Sequence, residues 1–214
     1  MTGFAYTDKT WDDLLSYISK RHNPEGGAPD DDIYLELAND ALAEISEMGI
    51  LQTHWDDADL TLTGNSLAMP PGIITVTRFE LDGQEIRHIS LAELDRRESD
   101  WRTFTGVPGW RTYENNCILF DGIPTGTKTL YGTCYLPEIV VDDDGVQTDP
   151  NPLEYLPFGR QLLPGDFVLK ELPADPENPM EVERVRRAAR KWEEGKAALG
   201  AVIASRMRRR VSNQ

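Results

Sequence analysis

Apolar positions recur at helical spacing at both ends of the chain and alternate with period two in its middle. Trp11, Leu14, Leu15 and Ile18 fall at i, i+3, i+4 and i+7. Thr10 followed by Asp13 has capping-box spacing, so a short amphipathic helix is predicted over residues 11–21. The stretch from His22 to Pro29 ends it. A second helix opens on Asp30, Asp31 and Asp32, which favour the positive end of a helix dipole, and closes at Gly49. Its expected face is Ile33, Leu37, Ala38, Ala41, Leu42 and Ile45. Helices of this length are marginal alone in water, so both must pack against something.

From Leu60 the alternation becomes strand-like, through Leu62 and the run Ile73 to Leu81, and reaches Asp82-Gly83, a tight hairpin signal. The return strand is expected at Glu85 to Ser90. Ser90 with Glu93 then caps a short helical stretch, Leu91 to Ser99. Further strands are predicted at Trp110 to Glu114 and Cys117 to Phe120, joined by Asn115-Asn116, and from Lys128 to Val141 with a break at Gly132. Asp142 to Pro152 is an acidic, turn-rich linker. Phe167, Val168 and Leu172 mark a short helix that Pro164 stops from extending upstream. The last helix has the clearest pattern: Val182, Val185, Ala189, Trp192, Lys196, Leu199 and Ile203 alternate by three and four. Within it Val185, Trp192, Leu199 and Ile203 are the expected packing residues. Such a narrow seam must dock on another surface.

The expected fold class is therefore α+β: a helical bundle with an inserted small antiparallel β unit and a long C-terminal helix. The expected organisation is N-terminal helices over 1–59, the β unit over 60–141, a linker and short helix over 142–179, and the long helix with its basic tail over 180–214.

Composition narrows the class. With 214 residues, 39% of them hydrophobic and 28% charged, the chain has the material for a packed core and is not a disordered one. It has no apolar run of membrane-spanning length, and Asp8, Asp12 and Asp13 stand where a signal peptide is basic and then apolar. The expectation is a soluble protein of the cytosol with no membrane partner. Cys117 and Cys134 form neither a disulfide framework nor a zinc spacing and are read as buried thiols.

The formal net charge of -15 hides a strong asymmetry. Residues 1–180 carry 12 basic and 33 acidic side chains, whereas residues 181–214 carry 10 basic and 4 acidic ones. The acidic body repels phosphate backbones, and only the basic tail has the sign to bind one. The alternative for the tail is a solvated helix end favoured by the dipole.

Candidate chemistry is sparse. His22, His54 and His88 have no shared metal spacing, and GxSxG, GK[ST] phosphate-loop and HExxH motifs are absent. The calcium-loop comparison fails because Val140 and Asn151 would occupy its first and twelfth positions. Trp55, Trp101, Phe104 and Trp110 read as plugs of a small β unit in preference to a ligand platform. No cofactor is expected, and an acidic residue count alone does not indicate a glycosidase.

The order of these segments resembles the head-to-tail adaptor (connector) proteins of tailed bacteriophages. The matching pieces are Trp11-Asp12-Asp13-Leu14-Leu15, Asn39 to Ile45, Leu67-Ala68-Met69-Pro70, and Val76 to Gly83. They continue with Gly106-Val107-Pro108-Gly109-Trp110-Arg111-Thr112-Tyr113, Cys117 to Phe120 leading to Pro124, and Leu156-Pro157 before a long charged terminal helix. The chain departs from the pattern at Pro164-Gly165, where the family runs a cleaner helix. The resemblance implies a non-enzymatic virion structural protein of the neck, assembled in the host cytoplasm. It also implies a dodecamer ring beneath the portal protein that extends the DNA channel and offers a platform to the tail or the next neck protein. Double-stranded DNA would pass through without specific binding. For portal docking the expected residues are Arg206, Met207, Arg208, Arg209, Arg210 and Val211, seated in an acidic or carbonyl-rich cleft. The alternatives are another head- or tail-completion neck protein and, from a different class, an acidic-site cell-wall hydrolase.

Overall fold

The computed structural model describes residues 9–22, 31–97, 100–157 and 159–211, apart from the side chains of 206–211. The chain forms two compact units, Leu51–Tyr135 and the remainder, Met1–Ile50 with Leu136–Gln214. The fold is α+β, ending in a long helix.

The helical unit is built on α1 (Trp11–Ser19), α2 (Asp31–Ser46), α4 (Leu163–Glu171) and α5 (Pro179–Val211); α3 (Leu91–Arg97) belongs to the other unit. In α1 the predicted stripe is buried at Trp11, Leu14 and Ile18, and the Thr10 amide donates to Asp13. On α2 the face is rotated slightly from expectation: Tyr34 is buried and Ile33 is 45% exposed. The Tyr34 hydroxyl bonds to His22 Nδ1 at 2.7 Å, a polar contact that hydropathy alone does not reveal.

The short helix α4 is the centre of the unit. Leu163, Pro164, Gly165, Phe167, Val168 and Leu169 are all buried, and the helix packs on α1, α2 and α5. Pro164 and Gly165, read from sequence as an interruption, have other roles. Pro164 lies in the first turn, where its missing N–H costs nothing. At Gly165 a Cβ would come within 2.8 Å of Tyr17 Cδ1, so glycine lets α1 and α4 approach closely.

The β unit contains two sheets. One is antiparallel in the order β1 (Leu51–Asp56), β9 (Lys128–Cys134), β4 (Ile73–Leu81), β5 (Gln84–Glu85). The other runs β2 (Leu62–Thr63), β3 (Ser66–Ala68), β8 (Cys117–Phe120), β7 (Trp110–Glu114), β6 (Arg87–His88), with only β6 and β7 parallel. Their core is Leu60, Leu67, Phe79, Leu81, Ile86, Ile118, Phe120 and Leu130, where Phe79 and Phe120 meet with ring centroids 4.7 Å apart. Both predicted hairpins use left-handed turn residues: Asp82 and Gly83 at φ 50° and 77°, Asn115 and Asn116 at 50° and 60°.

Four details differ from the sequence expectation. Strand β1 pairs with β9 from Leu51↔Cys134 to Asp56↔Thr129, in a stretch expected to precede the β unit. The expected return strand divides into β5 and β6, which join different sheets. Strand β9 stops at Cys134, short of Val141, because Pro137 cannot donate to a ladder. Past it, the Leu136 amide donates to Ser46 Oγ at 2.8 Å and the Ile139 amide to Asn39 Oδ1 at 2.8 Å, fastening the returning chain to α2. Finally, Cys117 and Cys134 are free thiols but only half-buried. Of the expected helix to Ser99, the last residues lie outside the described ones, as do residues 23–30 of the loop before α2.

Candidate functional site

The site expected to carry function is α5, and its sequence positions it in two parts. Pro179 opens the helix, and Asn178 Oδ1 caps it by accepting the Met180 amide at 3.0 Å. The first part packs onto α4. Trp192 and Leu199 are fully buried, while Val185 and Ile203 are half-buried. The buried line is completed by Ala188 and Gly195, small residues that the heptad reading passed over in favour of Ala189 and Lys196. Their smallness is the reason they are there: a Cβ on Gly195 would sit 2.2 Å from Leu163 Cδ1. Trp192 makes an edge contact with Phe167 at 5.0 Å between centroids.

Lys196, the one charged residue of the expected seam, is a link. Its Nζ donates to Glu44 Oε1 at 2.6 Å and lies 3.0 Å from Glu193, tying α5 to α2. The Glu44 carboxylate holds the ammonium above its ordinary pKa.

Past Leu199 the packing thins: Gly200, Val202 and Ile203 are half-buried and residues 201, 204 and 205 exposed. None of residues 200–205 is buried, yet the helix continues to Val211. Arg206, Met207, Arg208, Arg209, Arg210 and Val211 belong to this helical end, and their side chains lie outside the described residues.

Sequence reasoning missed a second feature, a cleft of about 690 Å³ beside the start of α5. Arg184, Arg187 and Lys191 share one helix face at i, i+3 and i+7, and Arg21 joins them from the end of α1. The spacing on α5 was legible; the arrival of Arg21 was not. Against the cleft Tyr17 donates to Asp166 at 2.6 Å. Burial, then that carboxylate, push the tyrosine hydroxyl above its ordinary pKa, and burial likewise raises Asp166. His22 is held below its ordinary value by burial first and by Arg184 second.

The remaining candidates are structural. His54 and His88 lie against Tyr131 and Tyr113. Trp101 is buried and its indole donates to Asp95 at 2.8 Å; Trp55 packs on the β core; Trp110 lies under the Arg97 guanidinium. Phe104 is 50% exposed, its ring lying against Gly106, where a Cβ would fall 2.1 Å from Cζ. At the rejected calcium loop, Asp142 Oδ1 accepts the amides of Asp144 and Val146 at 3.1 and 2.8 Å and so shapes a turn. Among the described residues no group of three His, Cys, Asp or Glu side chains is placed to hold a metal, and no helix is long and apolar enough to cross a membrane.

No curated protein matches the chain. The family model for the SU10 adaptor protein matches residues 9–214, which takes in both units and the whole of α5. The chain belongs to the SU10 adaptor protein family, and its role is that of a non-enzymatic head-to-tail adaptor of the bacteriophage neck.

Proposed function

We propose that copies of this chain, twelve by the family resemblance, close into a ring beneath the portal, extend the DNA channel and seat the tail or the next neck protein. The observation that carries this reading is the division of α5. From Leu199 to Val211 the helix runs on for roughly 18 Å at its usual rise, with no buried residue among 200–205. A helix end with so little burial over 200–205 is marginal in water and gains stability from a partner. Its sign is opposite to the body: net +6 over residues 181–214 against -21 over 1–180. Arg206 to Arg210 complement a cleft on the portal, and the charge of the body keeps the duplex sliding because phosphate contacts would hold it. The same self-repulsion favours free monomers until a template is met. Docking stays with the long helix over 180–214 and its basic tail, as in the expected organisation.

Deleting residues 204–214 tests this directly. The melting temperature of the body is expected to stay unchanged, since Trp192 and Leu199 remain, while portal binding is lost. Truncated copies that still join heads refute the docking role.

A further inference from the structure

We propose that the acidic hairpin tip Asp142–Asp144 of one copy seats in the cationic cleft between α1, α4 and α5 of the next copy. This contact rests on the ring reading above and supplies the pair of surfaces on which the ring closes.

The cleft is lined by Arg21, Leu169, Met180, Arg184, Arg187 and Lys191. Two carboxylates also border it, but each is engaged: Asp166 accepts from Tyr17, and Glu183 lies 3.8 Å from Arg187. Four cations therefore border a space that the described residues leave open, Arg187 beside Glu183 and Arg21 stacked over the Tyr17 ring at 3.7 Å. Arg184 is the most demanding of them. Its Nη2 donates to the Pro173 carbonyl at 2.9 Å, while Nε and Nη1 are buried with no acceptor among the described residues. Buried donors left unpaired are costly, and a charged donor is best matched by a carboxylate oxygen. Met180, 83% exposed, adds an apolar lip.

The hairpin has the complementary character. Val141 bridges Gln147, the Asp142 amide donates to the Val146 carbonyl at 2.9 Å, and Asp142 Oδ1 holds two amides of the turn, so the tip is a built feature. Asp142, Asp143 and Asp144 are exposed on it. Val140 and Val146 flank them at 53% and 59% exposure, large apolar groups facing solvent in the free chain. Acid flanked by apolar surface on one side and cations with an apolar lip on the other is the pairing that steers and registers an interface.

Placement on the unit supports contact between copies. The hairpin is fixed at the start of α1, where Gln147 Oε1 accepts the Trp11 amide at 2.6 Å. Arg21 follows the other end of the same helix, which spans roughly 14 Å at the usual rise per residue. Tip and cleft are thus two different patches at opposite ends of α1. A contact that closes a ring needs two such patches, one on each side of the subunit.

The test uses the full chain with purified portal. The mass of the wild-type assembly is measured first, then that of two variants altered at exposed positions: Arg187→Glu with Lys191→Glu, and Asp143→Lys with Asp144→Lys. Each charge-reversed variant is expected to lower incorporation more than about tenfold, and combining all four substitutions in one chain is expected to restore it. A chain carrying Asp143→Cys and Arg187→Cys is expected to give a ladder of covalently joined copies on oxidation, which neither single substitution nor the wild type gives. If the wild type assembles in many copies and the reversed variants do so equally, the hairpin contact is overturned while the ring stands. If the cleft variant alone loses incorporation, or the fourfold variant fails to recover it, the cleft holds an acidic segment of another protein and the proposal is overturned. A wild type bound to portal as a single copy overturns the ring reading and this contact with it.

Discussion

Trp192 gives the sharpest test of how the helical unit is held together. Its side chain is fully buried between α5 and α4, stacked edge-on to Phe167, and the Lys196 ammonium lies 5.2 Å from the ring centroid. Truncation to alanine removes the indole from a packed site and leaves a cavity, a change that costs about 4 kcal/mol for a large aromatic. For a chain of this size that corresponds to a fall in Tm of roughly 8–16 °C. The indole nitrogen, however, has no acceptor among the described residues. Phenylalanine keeps much of the ring contact and discards an unpaired donor, so Trp192→Phe is expected to cost less than about 1.5 kcal/mol. Urea denaturation followed by helical circular dichroism measures both variants. An unchanged midpoint for Trp192→Ala would show that the seam does not hold α5 in the free subunit. A phenylalanine variant as damaged as the alanine one would show that the indole nitrogen is bonded after all.

Other expectations concern single contacts. Ser46 Oγ donates to the Leu42 carbonyl at 2.6 Å and accepts the Leu136 amide, so Ser46→Ala strands a buried N–H and is expected to cost about 1–3 kcal/mol in urea denaturation. A Cβ at Gly122 would fall 2.2 Å from the Gly106 carbonyl oxygen, an unyielding backbone atom; Gly122→Ala is expected to destabilise the β unit by about 3 kcal/mol, seen in its near-ultraviolet circular dichroism on heating. Burial holds His22 below its ordinary pKa, so below about pH 6.5 the unfolded chain binds more protons there than the folded one. Stability from this group is complete above that pH and declines as pH falls through it. The decline is expected to be shallower in His22→Asn when urea midpoints are compared from pH 7.5 to 5.5, and equal slopes would remove His22 from the account.

Periodicity carried the helical unit a long way. The stripes of α1 and α5 and both β hairpins were legible because each depends on local spacing or on turn residues that tolerate left-handed backbone. What failed depended on contacts distant in the chain. Ala188 and Gly195 look neutral in a hydropathy pattern, yet their lack of bulk is what lets α4 reach α5. Pro164 and Gly165 read as a break because local rules describe a helix interior, whereas the residues stand at a helix start and a close crossing. Strand β1 was missed although Leu51, Thr53 and Trp55 alternate with Gln52, His54 and Asp56 at strand spacing; its partner β9 lies far along the chain. For the same reason the cleft was half visible: three cations of α5 share a face in the sequence, but Arg21 reaches them only through the fold.

On the proposed reading this chain works by fitting against its own copies and the portal, and the mass of the purified chain, alone and after addition of purified portal, decides it. A monomer alone and one closed multi-copy assembly on the portal is the expected result. A chain that stays monomeric in the presence of portal, or that binds it as a single copy, would contradict it.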